Sequence, residues 1–553
     1  SLSGSIQDRM CVVLSSPNVV SQKGMIEMFD STIGRSTVLM PFGGKTQLSE
    51  TQVSVQKLPT SGFTNTASLM AFGFNPFISE WSPYHGAAYA VVEACAKAVA
   101  AGADYAKMRF SYQEYFERMT ENPHSYGKPL AALLGALKMQ DEFSLPAIGG
   151  KDSMSGTFEH ISVPPTLIAF GVTTVDANHV ISPELKQAGH RLYLLRHVPL
   201  ATYMPNTEQL KRNWTFLTKE IHQGHVCAAY ALGFGGLAEA LAKCCFGNEL
   251  GVDVKINIDE LADYQYGSIL VETTCEIEYE LLEYLGKVTD TDICINGEIL
   301  DKKALYEAST MKYSRIYPTS CVSTHRDILP PNTQSHTTNN IFDYLGAPIQ
   351  SPLVYIPVFP GTNCDYDVAK AFRAAGAKVE SEVFCNLTSD DIANSISSMS
   401  RHIDKCQILA LAGGFSAGDE PDGSGKFIAN ILSNRQVADA IERLIARGGL
   451  ILGICNGFQA LVKSGLLPYG KIGSVTSTSP TLFRNDINRH ISQMVTTRVN
   501  TTASPWLKGF HVGDLHTIAV SHGEGKFVVN EEEARRLFEN GQVAFQYANP
   551  ATG

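Results

Sequence analysis

In the last third of the chain, short apolar runs alternate with amphipathic stretches. Pro352-Leu353-Val354-Tyr355-Ile356-Pro357-Val358 is apolar enough for a strand buried on both faces, and Asp365 to Ala375 has the spacing of a helix. Lys378 to Phe384 follows as a strand, Ser389 to Met399 as a helix, and Gln407 to Ala412 as a second buried strand ending in Gly413-Gly414. A helix around Val437 to Arg447 precedes the strand Leu450-Ile451-Leu452, and Gln459-Ala460-Leu461-Val462 opens another helix. Strands and helices alternating at this spacing predict a doubly wound parallel sheet, whose functional groups gather beyond the carboxyl ends of its strands. Gly413-Gly414 and Cys455 both fall there.

The earlier part divides less sharply. Ala87 to Ala101 predicts a long buried helix, with strands at Thr166–Val172 and Leu192–Leu195. The segment from about 186 has its own helix around Gly236 to Lys243 and strands near Asp253–Ile256 and Gly267–Val271. These predict two α+β lobes, 1–185 and 186–317. The polar stretch 318–350 lacks apolar periodicity and reads either as a linker or as a long ordered surface loop, leaving 351–553 as the α/β domain.

Composition adds boundaries. At 553 residues the chain has room for about three or four domains. A net charge of −11 with a pI near 5.8 argues against a nucleic-acid or anionic-membrane surface, and no run has the length of a membrane span. The 12 cysteines are scattered without a Cys-x-x-Cys pattern, as expected of reduced thiols in a cytoplasmic protein. The first residue is Ser1 rather than Met, which reads as a fragment.

The most telling local pattern is Gly453-Ile454-Cys455-Asn456-Gly457-Phe458-Gln459, a cysteine among small residues where a strand turns into a helix. Such an elbow pushes the side chain out of the backbone and aims helix N-terminal N–H groups and their dipole at it, favouring a nucleophilic thiolate. The alternative is a buried structural cysteine. Acyl transfer also needs an oxyanion hole. The Asn456 N–H is one natural donor, and the loop Gly413-Gly414-Phe415-Ser416 is a second source unless it is only a tight turn. For a base, His522 and Glu524 in Val520-Ser521-His522-Gly523-Glu524-Gly525 would share one face if this segment is a strand; the competing reading is a structural histidine.

Upstream, Ile148-Gly149-Gly150-Lys151-Asp152-Ser153 offers glycine N–H groups, a mobile charge and a hydroxyl. It is a candidate phosphate loop without P-loop spacing, or else a simple turn.

Four motifs in order, Pro360-Gly361-Thr362-Asn363-Cys364-Asp365, Gly413 to Asp419, Gly453 to Gln459 and Ser521 to Gly525, resemble the class I glutamine amidotransferase domain of the phosphoribosylformylglycinamidine synthase family. The resemblance implies glutamine hydrolysis through a glutamyl thioester on Cys455, with the Gly414, Phe415 and Asn456 amides stabilising the oxyanion. Gly413, Ser416, Gln459, His522 and Glu524 would line the glutamine site. In this family the catalytic His and Glu lie in a downstream Pro-His-Pro-Glu motif. The chain stops at Gly553 before such a motif, so His522 and Glu524 are expected to be pocket residues and the glutaminase to lack its base.

Residues 1–317 resemble the second of two aminoimidazole-ribonucleotide-synthetase-like halves of the same family, through Thr66–Leu69, Ala90–Ala94, Gly150–Met154 and Gly235–Ala238. The fold then implied is a two-lobed α+β synthetase-like half followed by the α/β amidotransferase domain. The activity implied is ATP- and Mg2+-dependent amination of formylglycinamide ribonucleotide in purine synthesis, with ammonia arriving through an internal channel. Gly149, Gly150, Lys151, Asp152, Ser153 and Glu93 become the candidate nucleotide residues, with Glu93 as the metal ligand. Two departures change that expectation. Lys97 stands where the family has Asn, and Gly233-Phe234-Gly235-Gly236-Leu237 lacks the carboxylate of the family's Ser-Asp-Gly-Gly-Leu. One carboxylate facing a lysine is a poor hard-cation site, so the helix bearing Glu93 reads as structural. The implied partners are glutamine, ATP, formylglycinamide ribonucleotide, and either the other half of the enzyme or a separate subunit. A scaffold subunit inactive on its own and a stand-alone glutaminase are the alternatives.

Overall fold

The computed structural model describes residues 4–32, 36–321, 349–416 and 425–549. Most of the expected linker, and Ala417 to Asp419 of the second motif, lie outside them. The chain forms two compact units, Ser1–Ile26 with Ser31–Thr319 and Glu27–Asp30 with Ser320–Gly553.

In the first unit, strands β1 (Ser54–Lys57) and β2 (Thr66–Gly73) precede helix α1 (Pro83–Ala100). Then come β3 (Arg109–Tyr115), helix α2 (Pro123–Phe143), β4 (Ala147–Lys151) and β5 (Thr166–Asp176). They form a sheet in the order β1-β2-β5-β3-β4, antiparallel except for the parallel β3–β4 pair. α1 starts at the Ser82 cap, with Pro83 at its first position, and is almost wholly buried. Its alanines let the sheet approach closely. A Cβ on Gly73 would sit 2.1 Å from the Ala90 carbonyl oxygen, so the β2–α1 contact requires glycine.

The second lobe holds β6 (Arg191–Leu195), helix α3 (Thr207–His222), β7 (Val226–Ala231), helix α4 (Gly236–Phe246), β8 (Gly251–Val254), β9 (Ile269–Thr273), β10 (Leu282–Thr289), β11 (Ile293–Ile295) and β12 (Glu298–Leu300). The strand order is β7-β9-β6-β10-β8-β11-β12. Alternate residues enter different cores. Tyr193, Leu195, Ile269 and Val271 join the core around α1, while Leu192, Leu194 and Leu270 join the one around α4.

The second unit bears out the parallel sheet. Its strands β13 (Leu353–Val358), β14 (Lys378–Val383), β15 (Ile408–Leu411) and β16 (Leu450–Gly453) lie in the order β14-β13-β15-β16, all parallel. Helices α5 (Asp365–Ala374), α6 (Ser389–Lys405), α7 (Lys426–Leu432), α8 (Arg435–Ala446) and α9 (Asn456–Ser464) connect or follow them. Both faces are covered. Tyr355, Leu409 and Leu411 pack with residues of α6, α7, α8 and α9, and Val354, Ile356, Ile408 and Ala410 pack with Val368 and Ala369 of α5. α6 opens with a capping box, Thr388 with Asp391, and runs six residues past Met399 because Ile392, Ile396, Met399 and Ile403 keep one apolar stripe. The edge strand β14 reads Lys378-Val379-Glu380-Ser381-Glu382-Val383 and is mostly exposed. Strands β17 (Ile491–Val499), β18 (Leu515–His522) and β19 (Phe545–Tyr547) form an antiparallel sheet in the order β18-β17-β19. Glu27 belongs to this unit, where its carboxylate accepts from Arg489 at 3.1 Å with both side chains nearly buried. Among the described residues, no helix is long and apolar enough to cross a membrane.

Candidate active site

β16 ends at Gly453 and α9 begins at Asn456, three residues earlier than the apolar pattern alone indicates. Ile454 and Cys455 lie between, and Cys455 has φ 51° and ψ −108°. A side chain is strained in that left-handed region, which persists only where the surroundings enforce it. Here they do. Ile454 N–H donates to Leu411 O (3.0 Å), Gly457 N–H to Ala412 O (3.1 Å) and Gln459 N–H to Cys455 O (2.9 Å). Gly457 is needed as glycine, since a Cβ would sit 2.2 Å from the Leu411 carbonyl oxygen. Cys455 is exposed. The elbow therefore presents its thiol at the carboxyl end of the sheet.

The Gly413-Gly414 loop lies directly against it. A Cβ built on Gly413 would be 3.3 Å from the Cys455 Cβ and 4.0 Å from its Sγ. Gly414 has φ +110° and pairs with Thr362 in an isolated antiparallel bridge. Asn363 N–H donates to Gly413 O (3.0 Å), and Phe415 N–H to Gly361 O (2.9 Å). The Phe415 amide expected at the oxyanion is thus already engaged with the Gly361 carbonyl.

Side chains tie three motifs together. Ser416 N–H donates to Asn456 Oδ1 (3.4 Å), Asn456 Nδ2 donates to Gln459 Oε1 (3.1 Å), and Gln459 Nε2 donates to the Glu524 carbonyl (2.8 Å). Ser416, Asn456 and Gln459 are all buried. The relay fixes the glycine loop, the elbow and the 521–525 turn relative to one another.

His522 ends β18, so Glu524 lies in the turn beyond it and strand alternation does not place the two on one face. The arrangement differs from the base–orienter pair that spacing suggested, because the Gly523 and Gly525 turn interrupts the strand. His522 Nδ1 accepts from Gly525 N–H at 3.1 Å. Burial, then neighbouring His490, hold the imidazole below its ordinary range. A neutral ring whose Nδ1 lone pair is used carries its proton on Nε2, so it offers a donor rather than a base.

Two residues near the site were not singled out by spacing. His490 Nε2 and Ser521 Oγ are hydrogen-bonded at 3.0 Å. Cys364 lies within electrostatic reach of Cys455; burial, then Asp367, Cys455 and Asp30, push its thiol up. A thiol held higher in this way is a weaker nucleophile than an unshifted one. Its signal was its place in the Pro360–Asp365 motif.

The upstream candidates sit apart in the first unit. Gly149, Gly150 and Lys151 are part of strand β4, not a loop. The reason is the parallel ladder to β3, which places Gly150 beside Tyr112 so tightly that a Cβ would come 2.2 Å from the Tyr112 carbonyl oxygen. An open cavity of about 540 Å³ adjoins them, lined by Leu130, Leu133, Leu134 and Leu137 of α2 and by Glu114 and Asp152. Burial, then Asp152, push the Glu114 carboxyl up to about 7. Ser153 follows the strand, its Oγ hydrogen-bonded to Ser155 Oγ at 2.9 Å.

Glu93 lies buried on α1. Its Oε1 is 2.8 Å from Lys97 Nζ, and its Oε2 accepts from Phe74 N–H (2.9 Å). Lys97 Nζ also donates to Phe72 O (3.0 Å) and lies over the Phe72 ring. An ammonium and a backbone N–H thus already engage both carboxylate oxygens. These residues do not fit Mg2+.

A family model described as a CobB/CobQ-like glutamine amidotransferase domain matches residues 351–553. The phosphoribosylformylglycinamidine synthase subunit PurQ of Roseobacter denitrificans is 36% identical over 198 residues, 36% of this chain and 76% of that protein. The Gloeobacter violaceus subunit of the same name is 34% identical over 193 residues, 35% of this chain and 71% of that protein. Among solved structures, T. maritima PurL complexed with ATP is similar with a TM-score of 0.40 at 14% identity, covering 58% of this chain and 54% of that one. The chain thus spans about half the length of that protein. By its similarity to the PurQ subunits over most of their length, the chain belongs to the phosphoribosylformylglycinamidine synthase family, carrying that family's glutamine amidotransferase domain.

Proposed function

We propose that residues 351–553 hydrolyse glutamine at Cys455 and that the ammonia serves the ATP-driven amination of formylglycinamide ribonucleotide in purine synthesis. The observation that carries this reading is the exposed Cys455 on a left-handed elbow at the start of α9, with Gly413-Gly414 packed against it. The thiolate attacks the side-chain amide carbon of glutamine, forming the S–C bond, and the oxyanion is met by the Asn456 and Gly414 amides. The C–N bond then breaks, ammonia leaves with the proton that the thiol gave up, and water cleaves the thioester to glutamate. Helix N–H groups aimed at Cys455 favour its thiolate. His522, donating through Nε2, serves the substrate pocket. Asn456 and Gln459 act as positioning residues.

The first unit, in this reading, is a non-catalytic synthetase-like half. The Glu93–Lys97 pair supports it, because the carboxylate is neutralised from within. ATP and Mg2+ then act in the other half of the enzyme or in a separate subunit. A glutamine-analogue electrophile tests the nucleophile. It is expected to label Cys455 ahead of the other eleven cysteines, and uniform labelling of exposed thiols would refute the assignment. Glutamate release with and without the other half separates this reading from a stand-alone glutaminase.

A further inference from the structure

We propose that His190, Cys227 and Glu272, in the second lobe of the first unit, form a binding site for a thiophilic divalent cation such as Zn2+. The three donor atoms lie within 4.8 Å of one another. His190 Nδ1 is 2.7 Å from Glu272 Oε1 and 3.6 Å from Cys227 Sγ. A tetrahedral zinc ion places S and N ligands about 3.6 Å apart and N and O ligands about 3.4 Å apart, from its usual bond lengths. The sulfur–nitrogen spacing is already right. The His190–Glu272 hydrogen bond would open by about 0.7 Å to admit the ion.

The fold brings these groups together by a specific device. β9 lies between β7 and β6, and Glu272 is on β9. His190 immediately precedes β6, and Cys227 is on β7. The β7–β9 register slips between Val226 and Ala228, so Cys227 is the extra residue of a bulge. Bulges re-aim side chains, and this one turns a thiol toward the His–Glu pair. Glu272 is fully buried and held by the Lys186 (2.8 Å) and Gln187 (3.1 Å) N–H groups, so a supporting shell for a ligating carboxylate is in place.

Charge and donor type select the ion. On binding, the Cys227 S–H bond breaks, an S–metal bond forms and that proton leaves to solvent, while the proton His190 Nδ1 shares with Glu272 is exchanged through solvent to Nε2, freeing the Nδ1 lone pair for the metal. One thiolate, one carboxylate and a neutral imidazole around a dication make an electrically neutral site, which suits burial. Thiolate and imidazole exclude Mg2+ and Ca2+, which prefer oxygen. His190 and Cys227 are partly exposed, which gives the ion an entry and leaves its fourth position to water. The three residues all belong to the first unit.

The test is titration of the chelator-stripped full chain with Zn2+ and Co2+, beside C227S and H190Q. The wild-type chain is expected to bind one equivalent more than either variant and to show a thiolate-to-cobalt charge-transfer band that C227S lacks. The affinity loss in each variant should exceed the ~10–100-fold that follows loss of a supporting partner. His190 is near the surface, so H190Q decides the matter if C227S does not fold. Equal stoichiometry in wild type and folded variants, or no such band in wild type, overturns the site.

Discussion

Replacing Cys455 by glycine and by alanine separates chemistry from strain. Both remove the thiol, so both should abolish labelling by a glutamine-analogue electrophile at this position. They differ in the backbone. At φ 51° and ψ −108° a residue with a Cβ is strained by about 1–3 kcal/mol. Glycine relieves that strain but loses about 0.5–1 kcal/mol in unfolded-chain entropy. The net expectation is C455G more stable than C455A by roughly 0.5–2 kcal/mol. For a cooperative unit of about 200 residues that is a midpoint roughly 1–8 °C higher. Thermal unfolding of the full chain, followed through the transition of the second unit, measures it. If C455A proves as stable as C455G, the elbow is not strained and the reason given for the exposed thiol fails.

Gly413→Ala presses a methyl group toward the Cys455 Cβ, so alkylation of Cys455 should slow by about tenfold while stability changes little, Gly413 having an ordinary φ; unchanged alkylation would show that the loop does not abut the nucleophile. Lys97→Ala leaves the buried Glu93 carboxylate with the Phe74 N–H but without its cation, and denaturant unfolding should show a loss of about 3 kcal/mol, largely recovered by E93Q with K97M. Glu114 gives a pH signature. Its folded-state pKa of about 7 lies above the ordinary 4.5, so stability is fully present below about 4.5 and falls as pH rises toward 7. E114Q should flatten that fall and exceed wild type above pH 7, by denaturation at pH 5 and pH 8.

The parallel sheet was legible because its buried strands are continuous apolar runs, and Tyr355, Leu409 and Leu411 do feed one core while Val354, Ile356 and Ile408 feed the other. The elbow was legible because glycines flank Cys455. Backbone pairing at a distance was not. Gly149-Gly150 looks like a loop locally and becomes a strand only through its ladder with β3. Glu524 seemed to share a face with His522, yet the strand ends at the histidine. The Asn456–Gln459–Glu524 relay joins positions up to 65 residues apart, which no local pattern reports. The Lys97 departure, by contrast, was readable in one helical turn, because residues four apart on a helix face each other.

The charged edge strand β14 has a consequence for assembly. An open sheet edge is a template for a strand from another chain, and this one would extend a sheet whose last strand, β16, leads into the Cys455 elbow. Lys378, Glu380 and Glu382 make such an addition costly, since an incoming strand would have to strip water from charged side chains along a mostly exposed edge. The charges on β14 therefore disfavour growth of the amidotransferase sheet on that side. Aggregation is thereby deterred at that edge, while the Cys455 elbow follows β16 at the opposite side of the sheet.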